Sequence, residues 1–194
     1  MDSFWFYLQL GFQHVLDPNG LDHFFFLIVL ALPFGWRKGR ALATWVTLFT
    51  LGHTFALWAA YEEWITLSGA WVEFLIPITI SWMSLTVLIQ KKKAIAHKQQ
   101  AYRLGVTTLV FGLIHGLGFG RYFSQIVLEE SAYGSLFQFA LGVEFAQLLI
   151  VLGVVLANLL VLDLFRWKAQ KWQWIVAAMV LSQALRMTIE NYPG

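Results

Sequence analysis

Six apolar runs separated by short charged stretches constrain this chain more than any single motif. They fall at about residues 21–36, 41–61, 70–90, 103–123, 135–163 and 172–190, and a helix needs roughly 20 apolar residues to cross the hydrocarbon of a bilayer. The predicted fold class is an all-α integral membrane protein, a six-transmembrane helix bundle whose first span is short at its N-terminal side. Composition agrees: 59% of residues are hydrophobic, 12% are charged and mean hydropathy is +0.65, whereas soluble domains carry about 25% charge. The stretch from Phe4 to Leu16 is too short to span. It starts beside Asp2, without a basic leader or a small-residue cleavage site, so it reads as a short N-terminal interfacial or re-entrant helix and not as a signal peptide. Residues 1–194 read as a single transmembrane domain, with 1–20 an external segment and turn.

Loop charges orient the spans. Arg37, Lys38 and Arg40 follow the first run; Lys91, Lys92, Lys93, Lys98 and Arg103 lie between or border the third and fourth; Arg166, Lys168 and Lys171 separate the fifth and sixth. By the positive-inside rule these alternate loops are cytoplasmic, so both termini face out. Glu62, Glu63, Glu129 and Glu130 fall on the opposite side, and His97 reads as a solvated inner-loop residue. Trp36, Trp58, Trp64, Trp71, Trp167, Trp172 and Trp174 lie near span ends as interfacial anchors. A net charge of +2 says little by itself, because the placement of Lys and Arg matters more than their sum, and nucleic-acid binding is not expected. The absence of cysteine excludes disulfides and thiolate metal sites, leaving nitrogen and oxygen as the available ligands.

The residues that composition makes costly are the informative ones. An ionised side chain at the centre of a span costs roughly 2.5 to 3.5 kcal/mol on insertion scales, so each is a functional candidate. Asp22 and His23 open the first span from outside; His53 lies past the middle of the second; Glu73 starts the third; His115 is in the outer half of the fourth; Glu144 is about ten residues into the fifth, and His14 precedes them all. Four of five histidines share one leaflet. Imidazole and carboxylate suit divalent nickel, cobalt, zinc, manganese or iron, so a metal site on the extracytoplasmic side is the economical reading.

Each candidate also has a structural alternative. Asp22 suits a helix N-cap after the "DPNG" turn, His14 an interfacial ring, and His53 an interhelical hydrogen bond beside Thr50 and Thr54. Glu73, four residues before Pro77, suits the rim of a kinked span. Glu144 and Gln147 share a helix face and suit a hydrogen-bond clamp. Gly112, Gly116 and Gly120, at four-residue spacing, form a small-residue ridge for close helix packing. In one continuous helix His14 and His23 would point to opposite sides, nine residues being about 180° out of phase. The break at Pro18 and Gly20 is what could bring them together.

With these residues assembled, the chain resembles the HupE/UreJ family of bacterial membrane proteins. The resemblance runs through "HVLDPNGLDHFFFL", "FTLGHTFAL", "VEFLIPITI", "FGLIHGLGF" and "ALGVEFAQL", in that order. It implies a nickel or cobalt permease of the bacterial inner membrane, associated with hydrogenase or urease maturation. It carries a metal signature over to His14, Asp22 and His23, and to His115, Gly116 and Glu144. Seven residues separate His14 from Asp22, against five in the branch best known for nickel uptake, which places this chain in a sister branch.

The expectation is a divalent-cation permease that takes the ion at His14, Asp22 and His23 and passes it to His53, His115 and Glu144, with the metal as substrate and the bilayer as the other partner. Homo-oligomerisation stays open. No Gly-rich loop followed by Lys and Ser or Thr occurs, so a gradient or intracellular trapping must drive transport. The alternative is an intramembrane zinc-dependent hydrolase using the same cluster. A third reading, haem held between His53 and His115, requires a flat cavity between the second and fourth spans.

Overall fold

The computed structural model describes residues 3–65, 67–89, 98–127 and 132–194. Lys91, Lys92, Lys93, His97, Glu129 and Glu130 lie outside the described residues, as do the side chains of Lys98, Arg103 and Arg121. The described residues form helices joined by short turns, with no strand: α1 (Ser3–Leu16), α2 (Asp22–Ala31), α3 (Gly39–Tyr61), α4 (Gly69–Ile89), α5 (Lys98–Ile126), α6 (Ala132–Leu159) and α7 (Ala169–Glu190).

Among the described residues, three segments are long and apolar enough to cross a membrane: Trp36–Tyr61, Gly69–Ile89 and Ala132–Leu164. The expected first span over 21–36 is corrected. Its helix stops at Ala31, so its ten residues rise only about 15 Å, half the ~30 Å of hydrocarbon. Leu32 still has helical dihedrals, but Pro33 has no N–H to donate to the Val29 carbonyl and Gly35 is extended, which accounts for the early stop. The apolar part of α5, Leu104–Gly120, is also short. α7 has the length, but Gln170, Lys171, Gln173, Gln183 and Arg186 interrupt its apolar run.

Backbone groups released by these breaks are satisfied by side chains from elsewhere, as a dry interior demands. Asn158 of α6 donates its amide to the carbonyls of Leu32 and Phe34 at 3.3 and 3.2 Å, and Gln173 donates to Leu32 at 3.4 Å. The Trp172 indole donates to the Asn158 oxygen at 2.8 Å, so this tryptophan is a clamp and not simply an anchor. Pro77 lies inside α4 and cannot donate to the carbonyl four residues back, that of Glu73. Asn191, just beyond α7, supplies the missing donor to that oxygen at 3.1 Å.

Glycine sets the two closest helix contacts. A Cβ on Gly52, Gly112 or Gly116 would collide with the backbone carbonyl of Leu109, Phe49 or His53 respectively, and one on Gly120 would approach Ala60 Cβ to 2.6 Å. Contacts therefore advance together along α3 and α5, which run parallel and nearly backbone to backbone. Gly11 of α1 and Gly142 of α6 form the second such pair: each would strike the other helix, at the Phe139 and Leu8 carbonyls. α1 is thus packed on α6 and not laid along the bundle surface. α4 packs chiefly on α7, and α2 lies against α6 and α4.

Candidate metal centre

Helix α2 starts at Asp22, after a turn closed by the Gly20 amide on the Asp17 carbonyl at 3.1 Å. Leu21 occupies the N-cap position without a side-chain cap bond, so Asp22 is not the cap. Its carboxylate instead meets His23 Nδ1 at 3.3 Å. A carboxylate only accepts, so Nδ1 carries the proton and Nε2 presents a lone pair. The same logic applies to His115, whose Nδ1 donates to the Phe111 carbonyl at 2.8 Å. Outer partners of this kind orient metal-binding imidazoles and fix their tautomer.

Four imidazoles converge. The ring of His14 lies 4.8 Å from that of His23 and 5.5 Å from that of His53; His23 lies 5.3 Å from both His53 and His115. Ligand atoms of His14, His23 and His53 all fall within 4.8 Å of one another. His23, His53 and His115 are at most 1% exposed, and the Nε2 atoms of all four histidines are buried without a hydrogen-bond partner among the described residues. An unsatisfied buried polar atom costs about 1–3 kcal/mol, so four together make a structural liability unless a cation engages the lone pairs.

Phenylalanines close the cluster on two sides. Phe26 follows His23 by three residues on α2, while Phe49 and Phe111 precede His53 and His115 by four on α3 and α5. Because α2 runs against α3 and α5, all three rings fall on the side of Arg37–Arg40. Phe26 stacks on Phe49 at 4.8 Å and meets Phe111 edge-on at 5.9 Å. On the opposite side Phe119 stacks on Phe139 at 5.2 Å and lies 4.1 Å from His14. A cleft of about 560 Å³, lined by Gln13, His14, Asp17, Pro18, Phe119 and Tyr122 among others, reaches His14 from outside the bundle.

The remaining candidates lie elsewhere. Glu144 is not among the converging ligands: its carboxylate accepts from Thr47 at 2.7 Å and from Thr50. Gln147 is buried, with its oxygen 3.2 Å from the Thr50 hydroxyl. Glu73 has an exposed side chain, and Thr54 is half-buried beside His53. Gly112 and Gly116 bring α3 and α5 too close for a porphyrin to enter between His53 and His115. Sequence reasoning missed Asn158, Thr47 and the phenylalanine shell. The signal for the last two was periodicity: Phe26, Phe49 and Phe111 each lie one turn from a histidine, and Thr47 one turn from Thr50.

No curated protein and no solved structure matches this chain. Against known families, residues 1–190 match the model described as HupE / UreJ protein, which spans the helices carrying all four imidazoles. The chain belongs to the HupE/UreJ family.

Proposed function

We propose that this protein is a nickel or cobalt permease whose substrate ion is held by His14, His23 and His53, with His115 completing the set and Asp22 orienting His23. The observation that carries the reading is the convergence of three imidazole ligand atoms within 4.8 Å, in the interior of a chain that belongs to the HupE/UreJ family. Neutral nitrogen donors suit late first-row divalent ions over magnesium or calcium. The cleft at His14 is the entry, where the ion exchanges water for imidazole. The phenylalanine floor bars direct passage towards the Arg37–Arg40 side until helices shift.

The topology we assign is six-span, with α1 and α2 together forming the first membrane element, both termini extracytoplasmic, and the bacterial inner membrane as the location. It rests on the basic residues Arg37, Lys38 and Arg40, and Arg166, Lys168 and Lys171, in alternate connections. A role in supplying metal for hydrogenase or urease maturation is the family-level reading. Zinc hydrolysis is the weaker alternative because the carboxylates that could serve as base are engaged, Asp22 by His23 and Glu144 by two threonines. The test is metal binding by purified protein together with cellular nickel and cobalt accumulation. Wild type should bind one ion and raise accumulation, and His23→Ala should lose both; unchanged accumulation in that variant would sink the permease reading.

A further inference from the structure

Helix α3 carries Thr44, Thr47, Thr50 and His53 at three-residue spacing. At 100° per residue each step turns the stripe by about 60°, so it winds from interior to flank. Burial follows that path: His53 is fully buried, Thr50 is 7% exposed and Thr47 is on the surface. Facing the stripe from α6 are Glu144 and Gln147. The Glu144 carboxylate, the Thr47 and Thr50 hydroxyls and the Gln147 amide oxygen make one all-oxygen group, joined by contacts at 2.7 and 3.2 Å and by the Thr50–Glu144 hydrogen bond.

This group is short of positive charge. Two hydroxyl protons serve three side-chain acceptors, both Glu144 oxygens and the Gln147 oxygen, and are also drawn to the Ala43 and Val46 carbonyls at 3.1 and 3.3 Å, which already accept a backbone N–H within α3. The Gln147 amide nitrogen, the donor that could relieve the shortage, is buried without a partner among the described residues. The titratable or charged side chains on the elements packed against this part of α6 are Tyr7 and His14 on α1, Asp22 and His23 on α2, Arg40, His53 and Tyr61 on α3, and Arg37 and Lys38 just before α3. None of them is a hydrogen-bond or ion-pair partner of Glu144. A lone carboxylate at this depth needs a compensating charge.

From the donor shortage and the lone carboxylate we infer a second cation site, formed by Glu144, Thr47, Thr50 and Gln147, which takes a monovalent metal ion, sodium, and couples it to the divalent metal at the histidines. Hard oxygen donors and a single negative charge match a single positive charge, whereas a divalent ion would leave net charge in a low-dielectric site. A groove of about 930 Å³ between α3 and α6 reaches Ala43 and Leu148, one turn from Thr47 and Glu144, and ends among Arg37, Lys38 and Arg40. Those basic groups repel a divalent ion more strongly than a monovalent one. Thr50 and His53 are one turn apart, so a cation at either site disfavours a cation at the other. The consequence is exchange: metal arriving at the imidazoles expels the monovalent ion, and the gradient of that ion sets the direction of transport.

The coupling rests on the metal-binding reading above, so the test separates the two. Cobalt binding to the full chain in nanodiscs is measured by calorimetry in sodium and in choline chloride at fixed pH. Sodium should weaken cobalt binding by about tenfold in wild type and not in Glu144→Gln. An identical sodium response in the two proteins overturns the site. If wild type binds no cobalt, the permease reading fails, and the Glu144 site is then read without metal: sodium should raise the melting temperature of wild type and leave Glu144→Gln flat, and equal responses overturn it. Thr47→Val, which keeps the carboxylate, guards against misfolding of the first variant and should give an intermediate response; full wild-type behaviour in both variants likewise overturns the site.

Discussion

The imidazoles of His14 and His23 meet edge to face at 4.8 Å between ring centroids although nine residues separate them in the chain. The turn from Asp17 to Leu21 makes that contact, ending α1 at Leu16 and restarting the helix at Asp22. His53 and His115 are then added by two helices held in register through glycine. The histidine cluster is therefore a product of one helix break and one close packing seam.

Removing a ligand should cost more than removing its support. His53→Ala is expected to weaken cobalt or nickel binding by more than about 100-fold, beyond the ~10–100-fold typical of outer-partner mutations. Calorimetry on purified protein measures it, and a loss below tenfold would remove His53 from the ligand set.

Asp22→Asn preserves shape but no longer favours the proton on His23 Nδ1. Binding should fall by about 10–100-fold while the melting temperature of the metal-free protein changes little. A variant that binds as wild type does would mean that Asp22 does not orient the ring.

Gly116→Leu places side-chain atoms against the His53 backbone, which cannot yield without parting α3 from α5. Overpacking of this kind costs about 1–3 kcal/mol or more. A lowered melting temperature together with lost metal binding is expected, because the seam also sets the spacing of His53 and His115. Gly153→Ala, at a position with no neighbour within 4 Å, is the control and should be silent.

Asn158→Leu strands the Phe34 carbonyl and the Trp172 indole donor in the interior and leaves the Leu32 carbonyl with Gln173 alone. The expected cost is about 1–3 kcal/mol per unsatisfied group, read as a drop in thermal stability. Metal affinity should fall as well, since the clamp fixes the far end of the helix that carries His23. Thermal stability equal to wild type would show that water replaces the amide.

Acidification should weaken metal binding. Neutral imidazole is the ligand, so protons compete with the metal as pH falls and affinity recovers as pH rises. Cobalt titrations at neutral and acidic pH check the sign, and affinity that rises on acidification would exclude imidazole ligation.

The apolar runs, the basic stretches between them and the set of candidate histidines were legible in the sequence because each depends on local composition and helical period. The glycine ridge on α5 was legible for the same reason, although its partners on α3 were not. Which side chains meet depends on crossing angles, register and the ends of helices, and these are decided by packing between segments far apart in the chain. So the sequence alone placed Glu144 with the histidines by depth in the membrane, whereas the tertiary structure turns it to Thr47 and Thr50, on the flank of α3 and away from the converging rings. The early end of α2 is written locally by Pro33, but tertiary structure decides how that end is satisfied, because Asn158 and Gln173 donate to the Leu32 and Phe34 carbonyls that the break leaves without a helical partner.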